Sequence, residues 1–318
     1  MRIVYMGTPQ IAAVILKDMV AAGDNIVAVV TQPDKPKGRG YGMALSEVKQ
    51  TALECGLTVY QPNKVKEEQF LDEIEGLAPD LVVVAAFGQI LPKRFLDIPR
   101  YGCINVHASL LPKYRGASPI QYAVLCGEEV SGVSIQYMAE GIDTGDIITT
   151  EVVPLAPDET GGSLHDKLAE AGCIALRRAI GQIASGTVVR TPQDGDKASY
   201  VGMIKKEMGR LDFSKPAILL ERQVRAFNPW PGTYTGLSGK ILKFWRCKVS
   251  EISARELQKA KENAFGYGSV IRVERDSFTV LTGDQGLLVK EVQLEGKRRM
   301  TAEEFLRGCA IGEGTFLG

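Results

Sequence analysis

Leu81-Val82-Val83-Val84-Ala85-Ala86 is an unbroken apolar run with no helical period. Such a segment must be buried on both faces, the condition of a strand inside a parallel sheet that helices cover. Working outward, Arg2–Met6 and Ile26–Thr31 are strands of the same kind, and Thr58–Tyr60 is a shorter one. Ile11–Ala22, Ser46–Cys55 and Glu67–Glu75 fall between them as helices. This alternation predicts an α/β fold, a Rossmann-like doubly wound parallel sheet with ligands beyond the carboxyl ends of its strands. The first strand runs into Met6-Gly7-Thr8-Pro9 and not into Gly-x-Gly-x-x-Gly. The dinucleotide fingerprint is therefore absent, which removes the main support for an NAD-dependent oxidoreductase. Gly7 is expected to serve a tight turn or a close backbone approach.

After a helical stretch over Ser163–Ile183 the pattern changes. Residues 190–207 are polar and contain Pro192, Gly195 and Gly202, the composition of a linker between a catalytic domain over 1–189 and a second domain over 208–318. A helix over Pro216–Ala226 precedes the short runs Leu242–Trp245, Ser269–Glu274, Ser277–Thr282 and Leu287–Leu294. Runs at that spacing with Gly-rich turns predict a small C-terminal antiparallel β-barrel, OB-like.

Composition narrows the class. Of 318 residues, 45% are apolar and 24% charged, ordinary values for a well-cored protein. The six cysteines form no Cys-x-x-Cys pair, so no zinc knuckle or dithiol motif is indicated, and unpaired thiols suit a reducing compartment. Arg2 leads straight into Ile3-Val4-Tyr5-Met6, so no signal or transit segment is expected. No apolar stretch reaches the ~20 residues of a membrane helix, and a cytoplasmic monomer is expected. Residues 1–189 hold 16 Lys and Arg against 22 Asp and Glu, a net charge of −6. Residues 190–318 hold 22 against 16, a net of +6. The split suggests that the second part meets a polyanion, although chance drift of surface charge would produce it equally well.

The densest cluster of unusual residues is Ile104-Asn105-Val106-His107-Ala108-Ser109-Leu110-Leu111-Pro112-Lys113-Tyr114-Arg115-Gly116. On a strand, Asn105 and His107 point to the same side. An amide donor beside an imidazole can stabilise an oxyanion and move a proton at one centre. Spacing alone better describes a hydrogen-bonded pair that closes a strand end. Downstream, Gly141-Ile142-Asp143-Thr144-Gly145-Asp146 is a glycine-flanked turn whose carboxylate could orient His107. The other histidine, His165, lies in a helical stretch and is read as structural.

Taken together these segments resemble the folate-dependent formyltransferases. The resemblance implies that Asn105, His107 and Asp143, rather than Asp146, are catalytic. Ser109–Gly116 is similar to the family's folate-site signature, and Phe87-Gly88-Gln89-Ile90-Leu91 to its pterin pocket. Those residues, with Ser109, Leu110, Leu111 and Pro112, are the implied contacts of 10-formyltetrahydrofolate, the co-substrate, and no metal is implied. Gln32–Gly40 resembles the tRNA-contacting basic loop of the members that formylate methionyl-initiator tRNA. Phe227-Asn228-Pro229-Trp230-Pro231-Gly232-Thr233 resembles the opening of their barrel domain. The implied tRNA contacts are Lys35, Lys37, Arg39, Lys205, Lys206 and Arg210. Tyr41-Gly42-Met43 stands where more Lys or Arg is expected, and Tyr200–Lys206 departs slightly from the family pattern. A glycinamide ribonucleotide or sugar-nucleotide acceptor is the alternative within the family, and would leave the basic loop at 32–40 unexplained. A nucleic-acid-binding protein with a degenerate enzyme domain is the alternative outside it, opposed by the intact Asn105, His107 and Asp143.

Overall fold

The structure, a computed structural model, describes residues 1–37 and 42–318. The chain divides into two compact units, one of Met1–Pro119, Glu129–Leu155 and His165–Gly202, the other of Ile120–Glu128, Ala156–Leu164 and Met203–Gly318.

In the first unit β1 (Ile3–Gly7), α1 (Gln10–Ala21) and β2 (Ile26–Val30) follow one another. A short hairpin of β3 (Lys35–Lys37) and β4 (Gly42–Ala44) precedes α2 (Glu47–Glu54), β5 (Val59–Tyr60), α3 (Glu68–Gly76), β6 (Leu81–Ala85), α4 (Lys93–Leu96) and β7 (Cys103–His107). The run that opened the sequence reading, β6, is buried at all five positions. Strands β5, β2, β1, β6 and β7 pair in that order and all in parallel, as continuous apolar runs require. The order reverses direction between β1 and β6, the switch point of a doubly wound sheet, so a crevice is expected beyond Gly7 and Ala85. A Cβ on Gly7 would stand 2.6 Å from the Ala12 Cβ and 2.9 Å from the Ala85 carbonyl, so close strand–helix packing is what this glycine serves.

Next come β8 (Arg115–Gly116), α5 (Pro119–Cys126), β9 (Val130–Tyr137), β10 (Ile147–Pro154), α6 (Gly161–Ser185) and β11 (Tyr200–Val201). Strands β9 and β10 extend the sheet beyond β7 in antiparallel fashion, an edge that the sequence reading left unassigned. In this register Asn105 faces Gln136 and His107 faces Ser134. Cross-strand partners share a face, so four polar side chains form one stripe in an otherwise apolar sheet. Strand β11 pairs with β8, which ties part of the expected linker to the segment after His107.

The second unit contains α7 (Ala217–Ala226), β12 (Thr233–Leu237), β13 (Lys240–Ser250), α8 (Ala254–Glu262), β14 (Val270–Val273), β15 (Phe278–Leu281), β16 (Gly286–Leu294), β17 (Met300–Thr301) and α9 (Ala302–Gly308). Its sheet is antiparallel, in the order β12-β13-β16-β15-β14 with β17 on β16. The chain end bridges the two outer strands: the Gly318 amide donates to Gly236 at 3.2 Å, and the Val270 amide to Thr315 at 2.8 Å. The outer strands thus lose their free edges and the sheet becomes barrel-like. The core centres on Phe244, fully buried and 6.3 Å from Phe213 and 6.1 Å from Phe278 between ring centres. Helices α8 and α9 were not expected, yet each starts on a capping box, Ser253 with Glu256 and Thr301 with Glu304, a signal present in the sequence.

Phe244→Ala should destabilise the second unit by about 3–5 kcal/mol. Urea denaturation followed by tryptophan fluorescence tests this, because both tryptophans of the chain lie in that unit. Thiol chemistry provides a second test. Burial raises the Cys103 and Cys247 thiols, and pushes Cys173 up to about 11. At pH 8 only about one Cys173 in a thousand is then thiolate, the reactive form. Native alkylation at that pH should modify exposed Cys126 first, as peptide mapping would show.

Candidate active site

The polar stripe on β7 and β9 ends under a loop that folds back from β9 and carries Asp143. Asp143 has a positive φ of 52°, a left-handed conformation that costs a non-glycine residue on the order of 1 kcal/mol. Its Oδ1 accepts from Gln136 Nε2 at 2.8 Å and from Asn105 Nδ2 at 3.3 Å. Its Oδ2 accepts from the Gly116 amide at 2.8 Å and lies 3.5 Å from His107 Nδ1. Asn105 and Asp143, 38 positions apart in the chain, are thereby in contact. The carboxylate side chain is 15% exposed, so water competes weakly for these donors.

His107 is nearly buried, and its Nε2 stands 2.9 Å from the Tyr114 carbonyl. A carbonyl only accepts, so Nε2 carries hydrogen and the tautomer follows from its partner. Nδ1 is then the nitrogen without hydrogen in the neutral ring, and it faces Asp143. The turn behind it is held from β9: Ser134 Oγ donates to the Ser109 carbonyl at 2.8 Å and accepts from the Leu111 amide at 3.0 Å. Ser109 Oγ closes the turn on the Lys113 carbonyl at 2.6 Å. Gly116, at φ 108°, has no room for a side chain, since a Cβ there would meet the Val201 carbonyl at 2.4 Å. The β8–β11 pairing therefore sets where the Gly116 amide points.

Of the expected folate contacts, Phe87 and Leu91 bury their side chains in the core. Gln89 is committed to the loop, accepting from the Val65 amide at 3.0 Å. Gln32 Nε2 donates to the Phe87 carbonyl at 3.0 Å. Ile90 alone among these apolar side chains stands out, at 79% exposure. Leu111 is buried, and Leu110 packs so closely on β9 that a Cβ on Gly132 would meet it at 2.5 Å. This loop follows β6, whose Val84 pairs with Asn105, so it borders the Asn105 side of the site.

Among the expected tRNA contacts, Lys35 and Lys37 sit on β3. The Asp34–Lys49 ion pair, at 2.5 Å, ties the stem of that hairpin to α2. Arg39 lies outside the described residues. Lys205, Lys206 and Arg210 are exposed in the second unit, so the five described cations divide between the two units. His165 pairs with neighbouring Asp166 at 3.1 Å on a helix. Sequence reasoning missed Gln136 and Gln193, the latter in the expected linker; neither belongs to a recognisable motif. It also missed an outward aromatic on the barrel, Trp245, with the Lys243 and Arg299 cations 5.6 and 5.1 Å from its ring. Among the described residues no cluster of His, Cys, Asp and Glu could hold a metal ion.

Comparison with known proteins bears on the whole chain. A family model described as formyl transferase matches residues 1–180, and one described as formyl transferase, C-terminal domain, matches residues 203–310. The methionyl-tRNA formyltransferase of Agathobacter rectalis is 47% identical over 316 residues, covering 99% of each chain. That of Bacillus licheniformis is 47% identical over 318 residues, 100% of this chain and 98% of its own. The crystal structure of WlaRD, a sugar 3N-formyl transferase in the presence of dTDP and 5-N-formyl-THF, superposes with a TM-score of 0.66. That match covers 94% of this chain and 99% of WlaRD at 18% identity, a likeness of fold. Matched over both of its parts and along its full length, the chain belongs to the formyl transferase family, among the methionyl-tRNA formyltransferases.

Proposed function

We propose that this enzyme moves the formyl group of 10-formyltetrahydrofolate onto the α-amino group of methionyl-initiator tRNA, with Asn105, His107 and Asp143 at the reacting centre. The observation that carries the assignment of residues is the convergence of those three side chains at the end of β7. The folate fits the same place. Exposed Ile90 offers an apolar surface for a flat ring on a loop that borders Asn105, and main-chain groups of 86–91 supply polar contacts.

The folate supplies a formyl carbon activated at N10. Asn105 spends one amide hydrogen on Asp143 and directs the other to the formyl oxygen, where negative charge builds as the amine attacks. His107 takes the amine proton at Nδ1, since Nε2 is occupied by the Tyr114 carbonyl, and returns it to N10 as the bond from the formyl carbon to N10 breaks and tetrahydrofolate leaves. Asp143, 3.5 Å from Nδ1, stabilises the positive charge that the ring carries in between. The exposed Lys205, Lys206 and Arg210, with Lys35, Lys37 and Arg39, bind tRNA phosphates, and the net charge of +6 over residues 190–318 supports that assignment. The enzyme works as a monomer in the cytoplasm, a reading that six unpaired cysteines support as far as the compartment goes.

The direct test offers the purified enzyme 10-formyltetrahydrofolate with methionyl-initiator tRNA, free methionine or glycinamide ribonucleotide. Formyl transfer should occur to the charged tRNA alone; transfer to another acceptor overturns the proposal. Asn105→Ala should lower kcat by about 100- to 1000-fold, the ~2.7–4 kcal/mol of one oxyanion donor, in single-turnover assays. Lys205→Ala and Lys206→Ala should each weaken tRNA binding and lower the slope of log affinity against log salt by about one, as filter binding would measure.

A further inference from the structure

We propose that Gln193 is a positioning residue for formyl transfer, gripping the Asp143 loop with the buried Arg115 behind it. The proposal rests on the reading of Asp143 as catalytic. Gln193 belongs to the first unit, although its segment reads as a linker in the sequence.

The orientation of the Gln193 amide is determined by its partners. Its Oε1 accepts from Arg115 Nε at 3.0 Å and Nη2 at 2.7 Å, and a guanidinium can only donate. The NH2 group must therefore face the other way, where it meets the Asp143 carbonyl at 2.9 Å, the Gly145 carbonyl at 2.7 Å and Gln136 Oε1 at 3.1 Å. Three acceptors share two hydrogens there. Gln136 in turn donates its own amide hydrogen to Asp143 Oδ1. Gln193 thus holds residue 143 twice, directly at its carbonyl and through Gln136 at its carboxylate. A left-handed residue between converging carbonyls does not keep that conformation unaided.

Arg115 explains why the amide stays put. It is 6% exposed, and among the described ion pairs it faces no carboxylate. Tyr200 fixes its far side, with the hydroxyl 2.9 Å from Nη1 and the ring centre 5.6 Å from the guanidinium carbon. Burying a charge is costly, and what this one does is lock a neutral amide in the orientation that serves Asp143.

Gln193→Glu separates positioning from support. The new carboxylate keeps both Arg115 hydrogen bonds and adds an ion pair, so the scaffold is retained. It also turns an oxygen towards three acceptors and should displace Asp143. We expect kcat to fall about 10- to 100-fold, the scale for a small misplacement of reacting groups, with KM for folate and for tRNA within threefold. Gln193→Met, which removes both sets of contacts, should fall at least as far when rates are normalised to folate-binding sites. A kcat within twofold of wild type in either variant, or a fall matched by equal loss of folate-binding sites in both, overturns the proposal. Asp143→Asn is run alongside. Full activity there sinks the catalytic reading of Asp143, whereas loss there with an active Gln193→Glu sinks only the positioning role.

Discussion

Asp143 accepts hydrogen bonds from Asn105, Gln136 and the Gly116 main chain while His107 stands at 3.5 Å, and these groups come from three separate segments of the chain. Each donor is where it is because of a neighbour. The register of β9 against β7 sets Gln136 beside Asn105, and the pairing of β11 with β8 aims the Gly116 amide. A carboxylate held in this way cannot drift towards solvent, and the imidazole beside it has one nitrogen engaged by the Tyr114 carbonyl and the other turned towards the carboxylate. Most features of the first unit near β7 serve that arrangement.

The sheet makes it possible by mixing two kinds of strand. Four of its five parallel strands are apolar runs, and only β7 interrupts that pattern, with Asn105 and His107. The two antiparallel strands at the edge are different, because Ser134 and Gln136 are fully buried polar groups. Buried polar groups persist only when hydrogen-bonded, and here the bonds go to the Ser109–Leu111 turn and to Asp143. Support of the turn after His107 and orientation of the carboxylate therefore come from two side chains on the same strand, Ser134 and Gln136.

The second unit follows another logic. Its core of phenylalanines is closed by the last residues of the chain, which leaves the outward side chains free to carry charge. Lys243 and Arg299 flank the Trp245 ring with cations on that outer surface. The acidic first part and the basic second part differ in the charge they present, −6 against +6.

The parallel strands, the helices between them and the Asn105–His107 spacing were legible in the sequence because they are local and periodic. Burial on two faces demands an unbroken apolar run, and a strand repeat of two puts both side chains on one side. The resemblance to formyltransferases was legible for a similar reason, since its motifs are contiguous. Strands β9 and β10 were not, because an edge strand with a polar stripe has neither the apolar run nor the plain alternation. Gln136 and Gln193 were invisible in a stronger sense. Nothing in a glutamine's own neighbourhood says which acceptors it will meet. From sequence alone came the two-part organisation, the type of sheet and the motifs that mark the family; the carboxylate's geometry, the histidine's hydrogen-bearing nitrogen and the buried arginine behind the site were decided by tertiary structure, because each depends on hydrogen bonds between residues distant in the chain.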